Sequence, residues 1–245
     1  MWVYYFIKCG GLLGCILENV VGITHEHDGV ESAMQQFLRV LSEFLPEFAW
    51  RVDVLKLVDY NIPHTRVRVF LRGLRKLVAA TVPPCLEPFG RRNLRECLGE
   101  FAHTPRAEYT MPQQRNLLQY EELVRQGVAA GTFQMDDIVV CPADRSEEGS
   151  FSQSIALNQA PTLTTRNKYL VVMSVADIVN GVPDHGRAFF RKLQDVERLT
   201  LQGLPPEVLA TLSPGKAVFA AGNAYPVPLI IACIQPMLMA IHRLG

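Results

Sequence analysis

The 245-residue chain is 49% hydrophobic and 20% charged, which excludes a disordered or collagen-like chain and supplies enough apolar material for a packed core. Its 24 Lys and Arg against 24 Asp and Glu leave no net charge, so any surface for a polyanion has to arise by local clustering. Six cysteines (Cys9, Cys15, Cys85, Cys97, Cys141 and Cys233) are scattered with no C-x-x-C pair, the pattern of reduced thiols in an intracellular protein.

Met1 to Phe6 and Leu12 to Val21 are apolar runs separated by Gly10-Gly11, which predicts buried strands around a turn. Lys8 sits inside the apolar stretch rather than before it, so a secretory signal is not expected. The second run ends in Glu18-Asn19-Val20. A polar pair at the end of an apolar strand either presents chemistry or caps the next segment. Asp28 with Glu31 has the form of a capping box, and Met34, Phe37, Leu38, Leu41 and Leu45 predict a helix of about four turns ending at Pro46. His25 and His27 bring no further ligands at a metal-binding spacing and read as a solvated loop, so no metal is expected.

Trp50 to Val58 and Thr65 to Leu71 alternate as strands around the turn Asn61-Ile62-Pro63. In the second of them Val67, Val69 and Leu71 share one face, and Arg66, Arg68, Phe70 and Arg72 the other. From Arg51 to Lys76 seven Lys or Arg stand against two Asp, which reads as a solvated sheet face or as a phosphate- or base-binding surface.

From Val82 prolines interrupt the chain, and no regular period persists until about Leu117, as in a linker into a second, irregular unit. Pro83-Pro84-Cys85 belongs to that linker. Asp136 to Glu148 reads as an exposed acidic loop, and Lys168 to Ser174 as a strand. Arg187 to Pro205 has helical spacing at Phe190, Leu193, Val196 and Leu199 or Thr200. Leu229 to Arg243 forms a last helix that Pro236 should kink. Its apolar run, Leu229 to Ile241, is 13 residues, short of the ~20 that cross a bilayer, so no membrane association is expected.

Four pieces fall in a fixed order: Glu18-Asn19-Val20, Thr65-Arg66-x-Arg68, Arg191-Lys192-Leu193 running to Leu201-Gln202-Gly203-Leu204-Pro205, and Gly222-Asn223-Ala224-x-Pro226-x-Pro228. Together they make residues 12–240 resemble the C-terminal part of a DNA cytosine-5 methyltransferase. The resemblance implies an α/β fold: an incomplete Rossmann-like, S-adenosylmethionine-dependent methyltransferase sheet with an inserted small, irregular, β-rich target-recognition domain. Residues 1–77 would be the second half of the catalytic domain, 78–185 the recognition domain, and 186–245 the return to the catalytic domain. Such enzymes flip cytosine out of double-stranded DNA, because its C5 atom cannot be reached inside the stack.

By the same resemblance, Glu18 would hydrogen-bond the cytosine N3 and 4-amino group, and Arg68 would contact O2. Arg66 would orient their strand or reach the backbone. Asn223, with Gly222 and Ala224 beside it, would lie at the methionine end of the cofactor, and Thr162-Leu163 would contact the DNA backbone. His64 stands where the family usually has glutamine. The family's glycine-containing first motif and its Pro-Pro-Cys-Gln loop belong upstream of the Glu-Asn-Val strand, where only 17 residues precede Glu18. The expectation is therefore a fragment inactive alone. The alternatives are a non-catalytic DNA-binding module, or one half of a split enzyme whose partner chain carries the missing motifs. The DNA reading implies the nucleus, or the nucleoid in a prokaryote.

Overall fold

The computed structural model describes residues 11–99, 109–144, 155–164, 169–181, 190–213 and 216–244. Its strands are β1 (Gly14–Asn19), β2 (Phe48–Lys56), β3 (Val67–Arg75), β4 (Ile138–Pro142), β5 (Ala156–Leu157), β6 (Leu170–Ser174) and β7 (Phe190–Lys192). Its α-helices are α1 (Ala33–Phe44), α2 (Met111–Ala129), α3 (Val175–Asn180), α4 (Asp195–Thr200), α5 (Ala217–Asn223) and α6 (Val227–His242). The expected strand over Met1 to Phe6 lies outside the described residues, as does Cys9.

Two compact units result. The first takes the chain up to Tyr60, Val67–Phe89, and the chain from Val227 onward. Its sheet has the order β1-β3-β2, with β3 antiparallel to both neighbours. Period-two alternation sends Cys15, Leu17, Trp50, Val52, Val69 and Leu71 to one face, where Met34, Leu41 and Leu45 of the α1 region cover them. Ile16, Ala49 and Leu74 take the opposite face, under Met237, Ala240 and Ile241 of α6. The unit is thus a sheet between two helical layers. Gly73 is required in β3, because the indole of Trp50 lies where a Cβ would stand. The cap of α1 is Ser32, not Asp28: the Gln35 N–H donates to Ser32 Oγ at 3.2 Å, and the Ser32 N–H to Gln35 Oε1 at 2.7 Å. Asp28 has a φ of 51° in the turn that bridges His27 to Val30.

The second unit comprises Asn61–Arg66 and Gly90–Pro226. Its antiparallel sheet has the order β5-β4-β6-β7. Leu117, Tyr120 and Val124 of α2 pack on Val139, Cys141, Val171 and Met173. Sequence patterning placed no helix before Leu117, yet α2 is 19 residues long, so this unit is not merely irregular and β-rich. Its start was written in the chain: Pro112 lies in the first turn, and Gln113 Oε1 accepts the Thr110 N–H at 3.0 Å.

Two further expectations are corrected. The helix expected over Arg187 to Pro205 is, among the described residues, the strand β7 followed by the short helix α4. Phe190 is buried in the α2 core and pairs with Met173 of β6, which fixes an extended chain there. Nor are the described residues of the stretch Asp136 to Glu148 an exposed loop: Ile138–Pro142 is the buried strand β4, and Arg145 to Glu148 lie outside the described residues. Asp137, at its start, accepts the Gln134 N–H at 2.7 Å and the Asn158 amide at 2.6 Å.

The partition expected at 77/78 and 185/186 follows positions along the chain, whereas compactness groups Gly90–Pro226 together and begins the return to the first unit at Val227. The stretch Ala217–His242 is by length and composition apolar enough to cross a membrane. It is interrupted between α5 and α6, and Leu229, Ala232, Cys233 and Met237 of α6 are buried.

Candidate functional site: a carboxylate–guanidinium clamp

Glu18 is the next-to-last residue of β1 and lies opposite Phe70 of β3. Arg68 is two residues from Phe70 along β3, so its side chain emerges on the same sheet face, diagonal to Glu18. Arg68 Nε and Glu18 Oε1 form an ion pair at 2.6 Å, and Arg68 Nη1 donates to the Val67 carbonyl at 2.8 Å. The two side chains are only 13% and 15% exposed, so their attraction is weakly screened. The structure therefore brings together the two residues expected to hold a base.

Further along the same face, Asp53 bridges two arginines. Arg72 donates to Asp53 Oδ2 through Nε at 2.9 Å, and its Nη2 stands 2.7 Å from the same oxygen. Arg51 Nε donates to Oδ1 at 2.9 Å. That hydrogen bond and the Asp53 charge hold the Arg51 guanidinium above its ordinary pKa. Arg72 is 0% exposed and also donates to the carbonyls of Pro83 and Cys233, at 2.8 and 3.2 Å. The basic stretch from Arg51 to Lys76 is consequently not one continuous anion surface: Arg51, Lys56 and Lys76 are exposed, whereas Arg66 and Arg72 are buried. Arg72 works inside the first unit, and Arg66 is buried in the second.

Arg66 precedes β3 and shares the second unit with His64. The Leu163 N–H donates to His64 Nε2 at 3.1 Å, which requires that nitrogen to be unprotonated. Thr65 and Ala160 add backbone bonds across the same junction, Thr65 N–H to the Ala160 carbonyl at 2.9 Å and Ala160 N–H to the Pro63 carbonyl at 2.7 Å. Thr162 is half-buried and Leu163 buried, so the backbone of this pair is anchored to the segment just before the clamp strand. His64 was visible in the sequence; its hydrogen bond to Leu163 was not.

Asn223 ends α5 and is exposed, with Gly222 and Ala224 half-buried on either side. Its amide offers one donor group and one acceptor. The rest of a nucleoside cofactor's cradle is not found among the described residues: the helices that follow strands directly start at Ser174 and Gln194, with no glycine turn for a close backbone approach. The described residues thus fit the cofactor only in part. Among them no three His, Cys, Asp or Glu side chains are grouped to hold a metal ion. Cys85, in the Pro-Pro-Cys sequence, lies 3.7 Å from Cys233 of α6, sulfur to sulfur.

The family model for C-5 cytosine-specific DNA methylases matches residues 14–238. No curated protein is significantly similar to the chain. Among solved structures, a methyltransferase of Entamoeba histolytica aligns over 99% of this chain and 68% of its own, with a TM-score of 0.53 and 12% identity. A mutant DNMT2 of Spodoptera frugiperda aligns over 92% and 66%, with a TM-score of 0.54 and 14% identity. A protein described as a DNA modification methyltransferase, encoded within an E. coli prophage, aligns over 98% and 72%, with a TM-score of 0.50 and 15% identity. At these identities the likeness shows the fold, an α/β methyltransferase-like one. The chain spans about two-thirds of the length of each of these proteins.

Proposed function

The chain belongs to the C-5 cytosine-specific DNA methylase family, and from that premise we propose that it forms the base-holding part of an enzyme that methylates C5 of a flipped cytosine in double-stranded DNA. The observation that carries this reading is the Glu18–Arg68 pair, a carboxylate and a guanidinium held 2.6 Å apart at neighbouring strand positions. A cytosine edge presents a 4-amino donor beside the N3 and O2 acceptors. Glu18 accepts from the amino group with one oxygen and shares a proton with N3 through the other, while Arg68 donates to O2. Both contacts strengthen as electron density moves onto the ring during nucleophilic attack, which is where such groups lower a barrier. Because each side chain already neutralises the other, neither is desolvated alone before the base arrives.

The second unit is the target-recognition domain in this reading, with Thr162-Leu163 at the DNA backbone and Arg66 supporting the strand entry. Asn223, Gly222 and Ala224 would hold the methionine end of S-adenosylmethionine, which would supply the methyl group. The remaining cofactor cradle and the nucleophilic loop come from motifs that precede the Glu-Asn-Val strand, in a longer form of this chain or in a partner. The chain's span of about two-thirds of the proteins it resembles supports that division. The nucleus, or a nucleoid, follows as the place of action.

Methyl transfer to a cytosine-containing duplex tests the proposal. The chain alone should be silent, and the chain joined to the upstream motifs should be active. In that active form Glu18→Ala or Arg68→Ala should lower kcat by about 10²–10³-fold, the loss typical of a transition-state donor. Retained activity in both variants overturns the clamp. The partial cofactor cradle among the described residues favours a second reading, a module that binds DNA without chemistry. It is distinguished by duplex binding with a salt slope of several phosphates and no transfer once the motifs are supplied.

A further inference from the structure

Two cysteines 148 positions apart are held face to face in the first unit by bonds that do not involve sulfur. Arg72 donates to the Pro83 carbonyl on one side and to the Cys233 carbonyl on the other, so one buried guanidinium fixes both backbones. The Leu86 N–H donates to the Ala232 carbonyl at 3.0 Å, a third tie between the segment around Cys85 and α6. The sulfurs are left 3.7 Å apart, and a disulfide of about 2.05 Å needs them to approach by less than 2 Å.

We propose that Cys85 and Cys233 are a reversible oxidation site, which a peroxide closes to a disulfide and a dithiol reopens. Their environments divide the work. Cys85 is half-buried and within reach of a small oxidant, whereas Cys233 is fully buried. The Cys233 hydrogen bond and, secondarily, the Arg72 charge lower the pKa of the Cys85 thiol; that same bond to Cys85, together with burial, raises that of Cys233. Cys85 is therefore the attacking thiolate and Cys233 the resolving thiol.

The Cys85 sulfur attacks one peroxide oxygen and the O–O bond breaks. The released hydroxide takes up a proton as water, leaving a sulfenic acid on Cys85. Cys233 sulfur then attacks Cys85 sulfur. The S–O bond breaks, and the departing hydroxide leaves as water with the Cys233 proton. In total two thiols lose two electrons, and one hydrogen peroxide becomes two waters.

The bond would close a loop containing all of Gly90–Pro226, because the chain leaves the first unit after Phe89 and re-enters it at Val227. Cross-linking across so long a loop chiefly restricts the unfolded chain, so oxidation stabilises the first unit without a new packing contact.

The test treats the reduced full chain with hydrogen peroxide and maps its cysteines by mass spectrometry after proteolysis. The expected result is a cross-linked pair of peptides carrying Cys85 and Cys233, a Tm raised by roughly 5–15 °C, and reversal of both by dithiothreitol. Cys85→Ser and Cys233→Ala should each abolish the cross-link and the Tm rise while the reduced proteins still melt cooperatively. Sulfinic or sulfonic acid at Cys85 without the cross-link, a disulfide to any other cysteine, or one between two chains would each overturn the proposal.

Discussion

A guanidinium with no solvent exposure is costly unless every direction it points in is answered, and Arg72 is answered by Asp53 and two carbonyls. Arg72→Leu removes the cation but leaves Asp53 only 9% exposed, facing Arg51 alone. We expect a loss of about 3–5 kcal/mol in urea unfolding, with part of it recovered when Asp53→Leu is added. Cys15 of β1 gives a pH signature. Burial pushes its thiol up from 9.0 to about 11, so folding favours the neutral form. That contribution is complete below pH 9 and is lost as the pH rises toward 11, at most about 2–3 kcal/mol. Cys15→Ala should flatten the stability curve between pH 9 and 11, measured against the parent chain. At this scale the sequence was legible where local pattern decides: alternation along β3 put Arg68 and Arg72 on one face, and the family resemblance singled out Glu18. Asp53 with Arg72 was not legible, because its partners come from different strands and meet only through the register Asp53–Phe70, Arg51–Arg72.

Capping separates two readings of one helix start. Ser32→Ala should cost about 1 kcal/mol, because it leaves the Gln35 N–H without its acceptor at the head of α1. Glu31→Ala removes only an exposed ion pair with Arg39 and should change stability by less than about 0.5 kcal/mol. Thermal or urea unfolding of the two variants tells them apart. Periodicity found α1 and α6 because each lays a continuous apolar stripe on the sheet. It missed α2, since Pro112 looks like a breaker until it is placed in the first turn, where a missing N–H costs nothing. It read β7 as helix because Phe190, Leu193 and Val196 are spaced three apart, and the pairing with β6 that overrides this spacing is long-range.

For the molecule as a whole, order along the chain and order in space differ. The fold class and the order of the motifs were legible in the sequence, since each motif is local. The allocation of Asn61–Arg66 and of the long stretch to Pro226 was not, because it depends on which surfaces bury one another. The first unit is assembled from three stretches of chain, and α6, which covers Ile16, Ala49 and Leu74, comes from the last of them. That arrangement sets a timetable for synthesis. A ribosome adding roughly 5–20 residues per second makes Gly90–Pro226 for about seven to thirty seconds after Phe89 has been joined. Throughout that interval α6 is not yet made, and Ile16, Ala49 and Leu74 lack the helix that covers them in the finished unit, apolar surface of the kind chaperones hold.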